Sequence, residues 1–126
     1  VQMRRIKSNF LHLLQSTARG RLVEDQVKVS KDHAVGVVIA SRGYPGSYEK
    51  GKRIGGLESV GDDIVVFHAG TSSQDGELKT SGGRVLTVTA TGKTKDEARN
   101  RVYNAIGEEG VWVENGFFRR DIAAQF

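Results

Sequence analysis

The sequence contains no cysteine, only one proline and no long apolar run. The absence of cysteine excludes disulfide scaffolds, thiolate catalysis and cysteine-based zinc sites. The longest apolar stretches, such as residues 35–40, are far shorter than the roughly 20 apolar residues that a membrane-spanning helix needs. No secretory signal opens the chain, so we expect a cytoplasmic protein without a membrane partner.

Charge and glycine content give the first positive indications. The net charge of +4 favours anionic partners such as phosphates and nucleotides. The basic residues are scattered and are not interleaved with aromatic residues, so we do not expect a nucleic-acid partner. Sixteen glycines indicate many turns, or places where the backbone must approach a ligand closely. A turn-rich β domain and a protein with anion-binding loops both fit this composition.

Hydrophobic periodicity predicts two helices. Apolar residues recur at helical spacing over residues 1–17, and Gly20 is a plausible stop. No capping residue precedes Val1, so we expect this helix to be cut from a longer chain. Thr94 and Glu97 form a capping-box pattern, which predicts a second helix that ends near residue 106.

Strand signals occupy most of the remaining sequence. Asp75-Gly76 is a tight-turn signal, which we expect to join the strand at residues 64–68 to the strand at residues 78–80. The order of elements predicts an α+β fold: a small, mostly antiparallel curled sheet, barrel-like or sandwich-like, with one packed helix and an N-terminal helix. The predicted strands are residues 26–30, 33–40, 64–68, 78–80, 84–91, 111–113 and 117–122.

No pattern of catalytic residues stands out. His12, His33 and His68 lie far apart and lack the spacing of metal ligands, so each is more simply a surface or core histidine. Neither a nucleophile-elbow pattern nor a P-loop pattern occurs. We therefore predict no catalytic residue and no metal site within this chain.

Three glycine-containing loops are the most informative segments. They cover residues 41–51, 67–71 and 81–86, and each adjoins a predicted buried strand. Glycines in such loops expose backbone N–H groups, while Lys50, Thr71 and Arg84 could contact a phosphate or a carboxylate. Turn formation alone is the alternative explanation for these glycines.

These loops carry a resemblance to a known family. ASRGYPGSYEKG at residues 40–51, VFHAGT at 66–71 and GGRVL at 82–86 resemble the C-terminal domain of the phosphoribosylamine–glycine ligase (glycinamide ribonucleotide synthetase) family. The predicted helix at 94–106 is similar to the helix that follows in that family. FFRRDI at residues 117–122 resembles its closing YRxDIG, with Phe118 in place of tyrosine and Ala123 in place of glycine.

The resemblance implies a fragment of an ATP-dependent ligase of purine synthesis. The intact enzyme would use glycine, 5-phosphoribosylamine, ATP and Mg²⁺ or Mn²⁺, with the nucleotide and the metal held by an ATP-grasp domain that this sequence lacks. Residues 1–24 would be the terminal helix of that domain, and residues 25–126 would be the C-terminal domain.

The fragment itself is expected to be inactive and to form one wall of the substrate cleft. A non-catalytic β module that packs against a partner domain or binds an anion is the alternative, and a nucleic-acid-binding domain is a weaker one. The substrate-binding candidates are Gly43, Tyr44, Lys50, His68, Gly70, Thr71, Gly82, Gly83 and Arg84.

Overall fold

A four-stranded antiparallel sheet organises the fold. The computed structural model describes residues 1–124. Within them, β1 (His33–Ser41) and β6 (Arg84–Gly92) form the longest pair, and β3 (Ile64–His68) lies on the other side of β6. The short strand β8 (Gly116–Phe117) pairs with the end of β1 and completes the order β3-β6-β1-β8.

Two smaller strand pairs flank this sheet. β2 (Ile54–Gly55) pairs with β7 (Trp112–Val113), and β4 (Thr71–Gln74) pairs with β5 (Glu77–Thr80), both antiparallel. The sheets do not close into a barrel. The predicted α+β class with a mostly antiparallel sheet is therefore confirmed, in an open form.

The second helix covers one face of the main sheet. α2 (Lys95–Asn104) packs against β6 and β1. Its N-terminus is capped as predicted, because the Thr94 side chain accepts a hydrogen bond from the Glu97 N–H at 3.1 Å. Glu97 reaches back to the N–H of Lys93 rather than to that of Thr94. The buried core comprises Val35, Val37, Ile39, Ile54, Val85, Leu86, Val88, Ala90, Ala98, Val102, Ala105, Val111 and Val113.

The N-terminal helix is shorter than predicted. Residues Gln2–Arg5 form a 3-10 helix, and α1 runs only over Phe10–Ala18. The Asn9 side chain accepts a hydrogen bond from the His12 N–H at 3.0 Å, so the helix begins there. Residues 6–8, between the two helices, are not helical and lie beside residues 26–30, where the Lys7 N–H donates to the Lys28 carbonyl at 2.8 Å.

The predicted strand at residues 26–30 is also wrong in its extent. Residues Glu24–Gln26 form a 3-10 helix, and only Val29 makes an isolated β-bridge, with Ile6. Side-chain bonds take the place of a ladder here, since Ser8 Oγ donates to the Gln26 carbonyl and accepts from the Lys28 N–H.

The tight turn predicted at Asp75-Gly76 is present, but the strand that precedes it is not the one that was predicted. Both residues have positive φ, 53° and 79°, as in the tight turns that suit a two-residue hairpin. The turn joins β4 to β5, and not β3 to β5. β4 was missed because its sequence, TSSQ, has no apolar alternation.

The strand predicted at residues 117–122 ends at Phe117. Beyond it, two side chains of α2 hold the chain. Arg99 donates to the carbonyls of Ile122 and Arg120, at 3.0 and 2.8 Å. The Tyr103 hydroxyl donates to the Arg119 carbonyl and accepts from the Ile122 N–H. Residues 125 and 126, which the second predicted domain includes, lie outside the described residues.

We predict that the stability of the fold depends on the β1–β6–α2 core and not on α1. Leu86→Ala removes a side chain that is fully buried and should lower the free energy of unfolding by about 2–5 kcal/mol. Leu11→Ala is the matched control, because Leu11 is 64% exposed on α1 and should cost less than about 1 kcal/mol. Urea denaturation measures both values, and equal losses for the two variants would contradict this account.

Candidate functional site at the loop end of the sheet

The three glycine-containing loops meet at one end of the main sheet. The Ser41 N–H donates to the Gly83 carbonyl at 2.8 Å, and Ser41 Oγ donates to the Gly82 carbonyl at 2.9 Å. The Gly70 N–H donates to the Arg84 carbonyl at 2.9 Å. The loop at residues 81–84 therefore joins the other two loops, which are far apart in the sequence.

Close packing accounts for several of the glycines. A Cβ atom on Gly83, which is buried, would collide with the Tyr44 ring. A Cβ on Gly70 would lie 2.6 Å from the Cα of Gly82, which is closer than real Cβ contacts. Among the candidates, Tyr44, Gly70, Gly82 and Gly83 thus lie in one packed cluster. The three glycines lie where neighbouring atoms leave no room for a side chain, so turn formation and close packing explain them without a ligand.

The polar candidates lie at the rim of this cluster. His68 Nδ1 and Thr71 Oγ1 are hydrogen-bonded at 3.1 Å, a contact that the sequence analysis did not predict. Arg84 and Lys50 are both exposed to solvent. Lys50 precedes Gly51, whose N–H donates to the Thr80 carbonyl and attaches this end of the first loop to β5.

Gly43 is needed for two reasons, and one of them is again close packing, because a Cβ there would collide with the Ser47 carbonyl oxygen. Its φ of 95° lies in the region that L side chains rarely adopt, so the first loop needs glycine at this position. The Tyr44-Pro45 peptide bond that follows is cis. These two features set the path of the loop between Ser41 and Ser47.

A cleft of about 430 Å³ lies beside the first loop. It was not predicted, because its far wall comes from the turn between β7 and β8, more than 60 residues further along the sequence. That turn is brought close because Gly116 pairs with Ser41 at the end of β1. The Asn115-Gly116 dipeptide, a turn signal, was the available clue, and Asn115 has a φ of 56°. The lining residues are Ser41, Arg42, Ser47, Tyr48, Glu49, Lys52, Glu114 and Asn115.

Ion pairs set the charge of this cleft. Lys52 Nζ lies 2.6 Å from Glu49 Oε2, and the hydrogen bond between them lowers the pKa of Glu49 and raises that of Lys52. A hydrogen bond from the Arg53 N–H lowers the pKa of the Glu114 carboxyl. All these groups are therefore charged at neutral pH. These groups lie at the surface, fully or partly exposed to solvent, so their ion pairs contribute little to stability.

The described residues offer no metal centre. Within residues 1–124, no group of three or more His, Asp or Glu side chains is arranged to hold a metal ion. In the same part of the chain, no helix has the length and apolar character needed to cross a bilayer.

Comparison with known proteins settles the family. The model of the family described as "Phosphoribosylglycinamide synthetase, C domain" matches residues 34–125. The chain belongs to this family. It is 46% identical over 125 residues to a phosphoribosylamine–glycine ligase of Agrobacterium fabrum, covering 99% of this chain and 29% of that protein. It is 47% identical over 122 residues to the ligase of Rhizobium meliloti, covering 97% of this chain and 28% of that protein.

A solved structure supports the same assignment. The crystal structure of phosphoribosylamine–glycine ligase from Thermotoga maritima superposes with a TM-score of 0.75 at 42% sequence identity. The match covers 90% of this chain and 27% of that one. The chain thus spans less than a third of the length of these relatives. The family expected from the three loop motifs is confirmed.

We predict that Gly83→Ala destabilises the loop cluster because the new methyl group must displace the Tyr44 ring. The expected loss in the free energy of unfolding is about 1–3 kcal/mol. Most of this loss should disappear when Tyr44→Ala is present as well, and a double-mutant cycle measures that coupling.

Gly61→Ala is the control for this experiment. Gly61 is exposed, and the nearest contact of an added Cβ is the flexible Asp63 carboxylate, so stability should change by less than about 0.5 kcal/mol. An equal cost for Gly83→Ala with and without Tyr44 would show that the ring is not what the methyl group displaces.

Proposed function

We propose that this chain is the C-terminal part of an ATP-dependent ligase that joins glycine to 5-phosphoribosylamine and forms glycinamide ribonucleotide in purine synthesis. The proposal is supported by the match to the phosphoribosylamine–glycine ligase of Agrobacterium fabrum, which covers 99% of this chain at 46% identity. The proposal retains the cytoplasmic location expected from the sequence.

The chemistry of the whole enzyme would proceed in two steps. The glycine carboxylate attacks the γ-phosphate of ATP, which releases ADP and forms glycyl phosphate. The amine of phosphoribosylamine then attacks the carbonyl carbon and displaces phosphate, so the C–N bond forms as the C–O bond breaks. ATP and Mg²⁺ or Mn²⁺ would be held by an ATP-grasp part outside this chain, since residues 1–124 contain no donor set that fits a divalent cation.

The contribution of this chain would be to form one wall of the substrate cleft. An acyl phosphate hydrolyses readily, so the wall must exclude water and hold the amine in line with the carbonyl carbon. The hydrogen bonds between the three loops support this role, because they fix the Arg84 backbone beside Gly70. The wall residues we propose remain Gly43, Tyr44, Lys50, His68, Gly70, Thr71, Gly82, Gly83 and Arg84.

We further propose that residues 1–24 belong to the ATP-grasp domain and residues 25–126 to the C-terminal domain. α1 supports this division, because Phe10, Leu11 and Leu14 are 41%, 64% and 52% exposed. A two-turn helix with so much exposed apolar surface fits a helix that packs on a larger domain. The first residues are bound more firmly to the small domain, since the Arg4 guanidinium donates to the Asp63 carbonyl at 2.7 Å.

A chimera would test the proposed activity. We expect the isolated chain to release no ADP in the presence of ATP, glycine and phosphoribosylamine. Replacing the aligned segment of the Agrobacterium fabrum ligase by this chain should restore glycine-dependent ADP release, because 46% identity preserves the fold and the loops. The same ligase without that segment is the control. Turnover by the isolated chain, or a folded but inactive chimera, would contradict the proposal.

Arg84→Lys in that chimera tests whether this wall contacts the substrate. The alternative is a β module that only packs against another domain, which the close packing of Gly70, Gly82 and Gly83 favours. Lysine keeps the charge and loses the two-pronged geometry of arginine. If Arg84 binds a phosphate or carboxylate, kcat/KM should fall roughly ten- to a hundredfold, or about 1–3 kcal/mol. The melting temperature should stay unchanged, because Arg84 is exposed.

Arg119→Lys is the control, since the Arg119 side chain is 72% exposed and, within residues 1–124, forms its ion pair with the nearby Asp121. It should leave both kcat/KM and the melting temperature unchanged. Wild-type kinetics for Arg84→Lys would remove Arg84 from the site, and a kinetic loss with a large fall in melting temperature would give it a structural role.

A further inference from the structure

The cleft beside the first loop has the size of a small-molecule site. Its volume of about 430 Å³ falls within the range of roughly 300–1,000 Å³ that is usual for ligand pockets. One wall is the first loop, from Arg42 to Lys52, and the other is the turn at Glu114 and Asn115. Its outer part is open to solvent, so a ligand could enter the isolated domain.

The charges in the cleft are arranged unevenly. Lys52 is neutralised by Glu49, with 2.6 Å between the ammonium and the carboxylate. Arg42 is exposed and lines the cleft. It takes part in none of the ion pairs formed among residues 1–124, so its guanidinium is left to bind an anion. A guanidinium suits a phosphate group, to which it can donate two parallel hydrogen bonds.

The opposite wall offers hydrogen-bond acceptors. Oε2 of Glu114 accepts from the Arg53 N–H at 3.1 Å, which fixes the carboxylate in place and keeps it ionised. Its second oxygen can accept hydrogen bonds from hydroxyl groups, as can the side-chain carbonyl of Asn115. Tyr48 is half-buried between these walls, and its ring lies edge-on to Tyr44 at 6.2 Å between centroids.

We propose that this cleft binds a phosphorylated pentose, with the phosphate on Arg42 and the sugar hydroxyls on Glu114 and Asn115. Among residues 1–124, the cleft thus has a guanidinium without an ion-pair partner on one wall and hydrogen-bond acceptors on the other, which matches a ligand with a phosphate at one end and hydroxyls at the other. The choice of ligand rests on the proposed function, because phosphoribosylamine carries such a group. The cleft would hold that part of the substrate.

Ribose 5-phosphate is the probe for the isolated chain. In an NMR titration of the ¹⁵N-labelled chain, it should cause saturable shifts in residues 41–52 and 113–116. Ribose and inorganic phosphate, which each lack half of the ligand, should bind at least tenfold more weakly. Arg42→Gln should weaken the binding of ribose 5-phosphate at least tenfold, and Arg19→Gln, at an exposed arginine of the N-terminal segment, should leave it unchanged.

Glu114→Gln distinguishes the sugar contact from the phosphate contact. It should weaken the binding of ribose 5-phosphate and leave that of inorganic phosphate unchanged, whereas a merely structural role would affect both. The amide spectrum of each variant reports whether it is folded.

Three outcomes would overturn this site: no saturable binding of ribose 5-phosphate, equal effects of Arg42→Gln and Arg19→Gln, or shifts confined to the surroundings of Arg84. Inorganic phosphate binding as tightly as ribose 5-phosphate would overturn the pentose assignment.

An active chimera without binding in the cleft would refute this site alone. Binding in the cleft with an inactive chimera would refute the proposed ligase function and leave the site intact.

Discussion

The pairing of β1 with β6 is the interaction on which the rest of the structure depends. It runs from His33 opposite Gly92 to Ala40 opposite Arg84, and its inward side chains are almost wholly buried under α2. Two of the loops that carry the family motifs adjoin these strands, since the loop at residues 41–51 begins at the end of β1 and the loop at residues 81–86 leads into β6. The register of this pair therefore determines where Ser41 and Gly83 meet, and with them the candidate site. A slip of one residue would reverse the faces of the strand and expose the core.

The parts of the fold that were predicted well are those with strong local signals. β3 has the predicted bounds, and β1 and β6 are each one residue longer than predicted, because runs of β-branched residues indicate buried strands independently of their neighbours. The start of α2 was predicted because a cap is a local interaction between Thr94 and the Glu97 N–H.

The failures occurred where distant side chains decide the backbone. Residues 1–8 have helical spacing of apolar residues, yet residues 2–5 form only a 3-10 helix, and hydrogen bonds with residues 26–30 hold residues 6–8 out of a helix. The tail after Phe117 looks like a strand, but Arg99 and Tyr103 bind its carbonyls from α2. Such contacts span about 20 residues, and no local pattern reveals them.

In the candidate site, too, local features could be predicted and contacts between distant residues could not. The loops could be predicted because their motifs are contiguous in the sequence. The hydrogen bond between His68 and Thr71 was not predicted, although the two residues lie only three positions apart. What the glycines do could not be read from composition, since Gly70 and Gly82 are far apart in sequence and meet only in the fold. Glu114 and Asn115 were missed for the same reason, because β8 pairing brings them to Ser41.

Most of the exposed apolar surface lies on the N-terminal segment. Of twelve large hydrophobic side chains that are exposed in the described part of the chain, nine lie within residues 1–29. The remainder of the domain buries its apolar residues in one core around Val37 and Val88. Apolar surface concentrated on one segment favours burial against another body. The relatives are more than three times as long as the matched segment, which supports the proposal that residues 1–24 pack on another domain.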